Sequence, residues 1–143
     1  MKISSPEFKN NQMMPKKITC QGEDINPSLI FEDIPKDAKS LALIMDDPDA
    51  PNETFVHWVM YNMPIIEKLD EDSQKGLEGK NSSGSIGYFG PCPPTGSHHY
   101  FFKLYALDIT LDLQKGATKL DLEKAIEGHI IKKAELIGLY EKS

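Results

Sequence analysis

The chain has 143 residues, the size of one compact domain and too few for two. Its 39% hydrophobic and 27% charged residues are ordinary globular values, which excludes a wholly disordered chain. Acidic residues outnumber basic ones 22 to 16, all of the latter lysine, for a net charge of −6. Such a chain has no concentrated basic face to release counterions from nucleic acid or to hold an anionic membrane surface. The stretch from Met1 to Lys17 has no apolar run of signal-peptide length, and the longest purely apolar run, Leu41 to Met45, is far too short to cross a bilayer. The expectation is one domain over residues 1–143, cytoplasmic, without stable membrane insertion. Cys20 and Cys92 lie far apart and form no CxxC pair. A reducing compartment fits them best, with one long-range disulfide left open.

The first third of the chain reads as mostly extended. Ser40 to Met45 (SLALIM), continuously apolar and bounded by charge and proline, predicts a strand buried on both faces. It runs into Asp46-Asp47-Pro48-Asp49-Ala50-Pro51. Phe55 to Met63 predicts a second strand, with Phe55, His57, Val59, Tyr61 and Met63 alternating onto one face and Val56, Trp58, Met60 and Asn62 onto the other. From Gln74 to His99 there are six of the 10 glycines and the run Gly90-Pro91-Cys92-Pro93-Pro94, with no helix or strand period. The aromatic pair Tyr88-Phe89 and the prolines predict an ordered loop, because proline lowers the entropy lost in fixing one shape. Tyr100 to Ile109 predicts a third strand, aromatic and branched on both faces as in the middle of a sandwich. Asp121 to Glu127 predicts a short helix with Asp121 as N-cap and Gly128 as its stop. Ile130 to Tyr140 tolerates helix or strand, and a closing strand is the preferred reading.

Chemistry-bearing residues gather at three places: the Asp47-Pro48-Asp49-Ala50-Pro51 turn, His57, and the segment from Gly90 to Tyr100. They meet only if their strands are neighbours. Pro48 and Pro51 stiffen the turn and aim its carboxylates reproducibly. Glycines at 87, 90 and 96 permit a ligand to approach the backbone, and free N–H groups there would favour an anion. Each part also has a plainer reading: Asp-Pro turns are common punctuation, a histidine on an apolar face is often a satisfied core residue, and Cys92 among prolines reads as a small buried hydrophobe more readily than as a reactive thiol. His98 and His99 face opposite ways in a strand, so only one of them can join His57 in a site.

Taken together, Asp47-Pro48-Asp49-Ala50-Pro51, His57-Trp58, Gly90-Pro91-Cys92-Pro93-Pro94, Gly96, His98-His99-Tyr100 and Leu104-Tyr105-Ala106-Leu107-Asp108 resemble the phosphatidylethanolamine-binding protein family, to which the Raf kinase inhibitor proteins belong. The likeness extends from Ser4-Ser5-Pro6 to the Ala134-Glu135-Leu136 tail and is strongest to the compact prokaryotic branch. It implies a mainly β fold, a sandwich of a large antiparallel sheet on a smaller one with a few short helices. It also implies a small anion pocket at Asp47, His57, Gly90, Pro91, His98 and Tyr100, with Asp49 close behind. Where the family usually has His-Arg-Tyr, this chain has His99 in the middle. Imidazole lacks the fork and permanent charge of arginine for bracing the turn.

The function implied is non-catalytic binding of a phosphate-type anion, such as a phosphorylated headgroup, with regulation of a partner kinase or other enzyme as a further role and no cofactor. A protein-level inhibitor of a kinase or protease, its pocket docking a partner loop, is an alternative class. A hydrolase or metal enzyme built on Asp47, Asp49, His57 and His98 is the competing class, with Ser97 beside His98 as its nucleophile candidate. No GxSxG elbow or third orienting group supports that nucleophile. Exposed strand edges in so small a sandwich suit a homodimer.

Overall fold

The computed structural model describes residues 1–143. The strands are β1 (Lys2–Ser4), β2 (Gln12–Met13), β3 (Leu29–Glu32), β4 (Ser40–Asp47), β5 (Phe55–Met63), β6 (Lys68–Leu69), β7 (Leu77–Glu78) and β8 (His98–Leu107), then helix α1 (Lys119–Ile126) and β9 (Ile130–Tyr140). They form a large sheet in the order β2-β9-β8-β4-β5-β7 and a small one in the order β1-β3-β6. The fold is the expected β-sandwich with few helices. All pairings in it are antiparallel except the edge pair β2 and β9, which is parallel.

The apolar run of β4 takes the centre of the large sheet because both of its faces can be covered. Leu41, Leu43 and Met45 face the small sheet and join Ile3, Leu29, Phe31, Trp58, Phe102 and Leu104 in the main core. Ala42 and Ile44 face the other way and pack with Val59, Tyr61, Leu122 and Ile126 under α1. Each large aliphatic or aromatic side chain fully buried here is worth roughly 1.5–3 kcal/mol relative to leaving it in water. The strand continues two residues beyond the predicted Met45, carrying Asp46 and Asp47 into the sheet.

The strict alternation expected for β5 is interrupted twice, where its register against β4 shifts between Met45/Asp46 and between Leu41/Leu43. Each bulge inserts one residue and switches the face on which the next residues of the strand lie. Val56 therefore packs with Val59 and Tyr61 toward α1, and Met63 joins Trp58 and Met60 in the main core. The second bulge is fixed by Asn62, which has φ 53° and whose side chain exchanges hydrogen bonds with Leu111 N (2.8 Å) and Leu111 O (2.9 Å).

The third predicted strand is displaced by two residues, to His98–Leu107. His98 and His99 already pair with Tyr140 and Leu139, and the ladder ends at a register shift after Ala106. Its face toward the small sheet is buried, while Phe101, Lys103 and Tyr105 on the other face are only half-covered. The N-cap of α1 is Thr118 rather than Asp121. Asp121 occupies the third helical position and completes a capping box, with Asp121 N donating to Thr118 Oγ1 (3.1 Å) and Thr118 N donating to the Asp121 carboxylate (3.0 Å). Ile130–Tyr140 is the preferred closing strand and lies between β8 and β2.

Candidate ligand-binding site

Convergence of the three sequence places follows from the strand order. β8, β4 and β5 are adjacent, and Asp47 at the end of β4 pairs with Phe55 at the start of β5, while Asp46 pairs with Phe101 of β8. Alternation from the core residues Met45 and Phe102 turns Asp47 and Tyr100 to the same side. Together with Ala50, Pro51, Phe55, His57, Phe89, Cys92, Pro93, Pro94 and His98 they line a hollow of about 120 Å³. Asp47, His57, His98 and Tyr100 are its polar residues, the rest of its lining is largely aromatic and proline-rich, and no lysine lines it.

Asp47, His57 and His98 are almost fully buried, at 3%, 4% and 7% exposure. The Asp47 carboxylate is held from two directions: Asp49 N donates to Oδ1 (2.8 Å) and His98 Nδ1 contacts Oδ2 at 2.6 Å. His57 makes a different contact. Its Nδ1 lies 2.5 Å from Phe89 O, while Phe89 N donates to His57 O at 2.9 Å, so the two residues clip each other. The Tyr100 ring stands between the two imidazoles, 5.2 Å from His57 and 6.3 Å from His98 between ring centres. Burial pushes the Tyr100 phenol far above its ordinary range, with the Asp47 and Asp49 charges adding to it, so it remains a neutral O–H group.

Burial also lowers the His57 pKa below 6.5, against the opposing pull of the Phe89 carbonyl and of Asp47. His57 is therefore an uncharged imidazole at neutral pH, and the pairing with Asp47 belongs to His98 alone. His99 points away and is exposed. Its backbone N and its ring Nδ1 both contact Asp49 Oδ2 at 2.7 Å, and this lowers the Asp49 pKa. The bracing of the Asp-Pro turn is thus performed by an imidazole and an N–H group together, without a guanidinium.

Of the predicted site residues, Asp47, His57, His98 and Tyr100 share the hollow, and Asp49 stands behind Asp47. Gly90 and Pro91 lie beneath the wall. Gly90 N donates to Asp24 Oδ1 at 2.8 Å, and a Cβ on Gly90 would sit 2.0 Å from that oxygen. What Gly90 admits so closely is Asp24, and its N–H is already taken. Pro91 O accepts from Cys20 N at 3.1 Å, and Tyr88 donates its hydroxyl proton to Ile18 O at 2.8 Å. The long loop is ordered, as its composition predicts, by these ties to the segment from Ile18 to Asp24.

The cysteines correct the sequence reading. Cys20 and Cys92 form a disulfide, and Cys92 is an exposed residue of the wall, neither a free thiol nor a buried hydrophobe. With them paired, the cysteine-based case for a reducing compartment falls away. Sequence reasoning also missed Phe55 and Phe89. Phe55 precedes His57 by two on the same strand, and Phe89 adjoins Gly90, so proximity to chosen residues was the available signal. Ser97 is exposed and makes no hydrogen bond to either neighbouring histidine. No group of three or more His, Cys, Asp or Glu side chains is arranged to hold a metal ion. No helix is long and apolar enough to cross a membrane.

The model of the family described as phosphatidylethanolamine-binding protein matches residues 4–141. A UPF0098 protein of Pyrococcus abyssi is 50% identical, over 99% of this chain and 85% of its own length. One from Methanothermobacter thermautotrophicus is 46% identical over 99% of both chains. Among solved structures, a putative phosphatidylethanolamine-binding protein homologue from Chlamydia trachomatis superposes with a TM-score of 0.97 at 44% identity, covering 99% of this chain and 97% of that one. The E. coli YbcL protein, described as a new member of the mammalian family, gives 0.91 at 27% identity, with 99% and 98% covered. A β-sandwich of this topology, matched in sequence and structure over almost its entire length, belongs to the phosphatidylethanolamine-binding protein family.

Proposed function

We propose that the chain is a non-catalytic binder of phosphate-type anions, with the hollow between β4, β5 and β8 as its site. The observation that supports this most is the buried Asp47–His98 contact at 2.6 Å. A carboxylate alone would repel an anion, but the Asp47 carboxylate is already engaged by His98 Nδ1 and Asp49 N, which leaves the opposite ring nitrogen of His98 to meet a ligand. The aromatic and proline walls lower the local dielectric around a bound group, which strengthens each hydrogen bond to it. The lack of a base-oriented nucleophile at Ser97 favours binding over hydrolysis.

Titration with O-phosphorylethanolamine by calorimetry at pH 6 tests this reading. The expected result is saturable binding to the wild-type protein and a loss of at least about tenfold in affinity in His98→Ala, which removes a hydrogen-bonding group of the hollow. No binding, or an unaffected His98→Ala, overturns it.

A further inference from the structure

The two imidazoles of the hollow are not equivalent. Asp47 Oδ2 can only accept, so His98 Nδ1 carries its hydrogen, and a protonated His98 offers a second donor at Nε2. The carbonyl of Phe89 also only accepts, so His57 Nδ1 carries its hydrogen. Unlike His98, His57 has no carboxylate partner, and its Nε2 makes no bond to the protein although the ring is buried. A neutral imidazole with hydrogen on Nδ1 has a bare lone pair on Nε2. The hollow therefore combines a donor side at His98 with an acceptor side at His57, on either side of the Tyr100 ring.

Charge supports the same selection. The groups facing the hollow are Asp47 from β4, His57 from β5, His98 and Tyr100 from β8, and the disulfide-bonded wall at Cys92. Even with His98 charged, the formal sum of Asp47 and His98 is zero; further out lie Asp24, Asp49 in contact with His99, and Asp46 paired with Lys103 and Lys119, none of which lines the hollow. No lysine is present to neutralise a second negative charge. A doubly charged anion entering this apolar-walled space would lose its hydration without a counter-charge.

From these contacts we infer that the site selects oxyanions that still carry a proton, taking a phosphate or phosphonate group as its monoanion with the ligand O–H donated to His57 Nε2. Sulfonates, and sulfate, which have no proton to give at ordinary pH, are disfavoured. The selection rests on the anion-binding reading above and adds to it the protonation state and donor pattern of the ligand. Burial of His57 keeps the acceptor lone pair available at neutral pH, because it opposes protonation of the ring.

The test compares methylphosphonate with methanesulfonate, added to the intact, disulfide-bonded protein at pH 6 and followed by calorimetry or by ligand-observed NMR competition. At that pH both probes carry mainly one negative charge and have nearly the same shape; only methylphosphonate has an O–H. Leaving one buried acceptor unmatched costs the sulfonate roughly tenfold to a hundredfold in affinity, so methylphosphonate is expected to bind tighter by that factor. Equal affinities, or tighter binding of methanesulfonate, overturn the inference while leaving anion binding intact. If neither probe binds and O-phosphorylethanolamine also fails, the anion-binding reading and the inference fall together.

Discussion

His57 shows how one side chain reports on its surroundings. In the unfolded chain it titrates near 6.5, while burial lowers that value in the fold. The folded state then binds fewer protons, so the contribution of His57 is fully favourable above pH 6.5 and is lost as pH falls from 6.5 toward the depressed folded value. Asp49 and Asp121 are also lowered, from 3.8, and their contributions disappear only below that pH. Between pH 7 and pH 5, thermal melting of the ligand-free protein is expected to shift downward, and His57→Gln to flatten that slope. A wild-type slope identical to that of the variant would contradict the assignment. The identity of His57 as a site residue was legible from strand alternation and from the motif around it. Its neutrality was not, because that depends on burial, and the rings packed around it include Phe89 and Tyr100 from segments far along the chain. The same limit applies to Gly90: its type was visible in the sequence, but the Asp24 carboxylate it accommodates comes from a distant turn.

At the scale of elements, the strands were readable and their irregularities were not. β4, β5 and β9 follow from apolar content and branched residues, whereas the two bulges of β5 leave no mark in the hydrophobic pattern beyond a polar residue at 62. Asn62 determines the second bulge through its left-handed backbone and both of its side-chain hydrogen bonds. Asn62→Ala should cost about 1–3 kcal/mol in urea unfolding, since it removes both bonds and keeps the unfavourable φ. Asn62→Gly loses the bonds but tolerates the backbone, and should be milder. An Ala variant no less stable than Gly would show that the bulge is held by packing instead. The first bulge, beside His57, matters to the site: it sends Val56 toward α1 while His57 keeps its place against Tyr100. Trp58 next to it is buried in the core and still donates Nε1–H to Glu78 at 2.7 Å, which ties β5 to the edge strand β7.

For the whole molecule, the sandwich class, the layer order and the meeting of three distant turns were implied by the motif resemblance, and the neighbouring strands β8, β4 and β5 account for that meeting physically. The disulfide was left open, since two cysteines far apart in sequence carry no information about their distance in space. It joins the segment before β3 to the loop before β8, with a sequence separation of 72. Closing so long a loop restricts the unfolded chain, and removing the bond by Cys20→Ser or by reduction should lower stability by about 2–4 kcal/mol. Melting with and without a thiol reductant measures this; an unchanged midpoint, with complete reduction verified by mass, would show that the linkage adds nothing.

The parallel pair of β2 with β9 also constrains the order of assembly. Residues 11–14 bond to Ile137, Gly138 and Leu139, and the Tyr140 hydroxyl donates to Gln21 at 2.5 Å, so an early part of the chain finds its partners only in the last strand. During synthesis Phe8 and Met14 have no Gly138 to pack against until β9 has left the ribosome. Contacts of such high sequence separation slow folding, and the nascent chain must carry these apolar groups uncovered through nearly all of its translation, a period in which a chaperone would have most to shield.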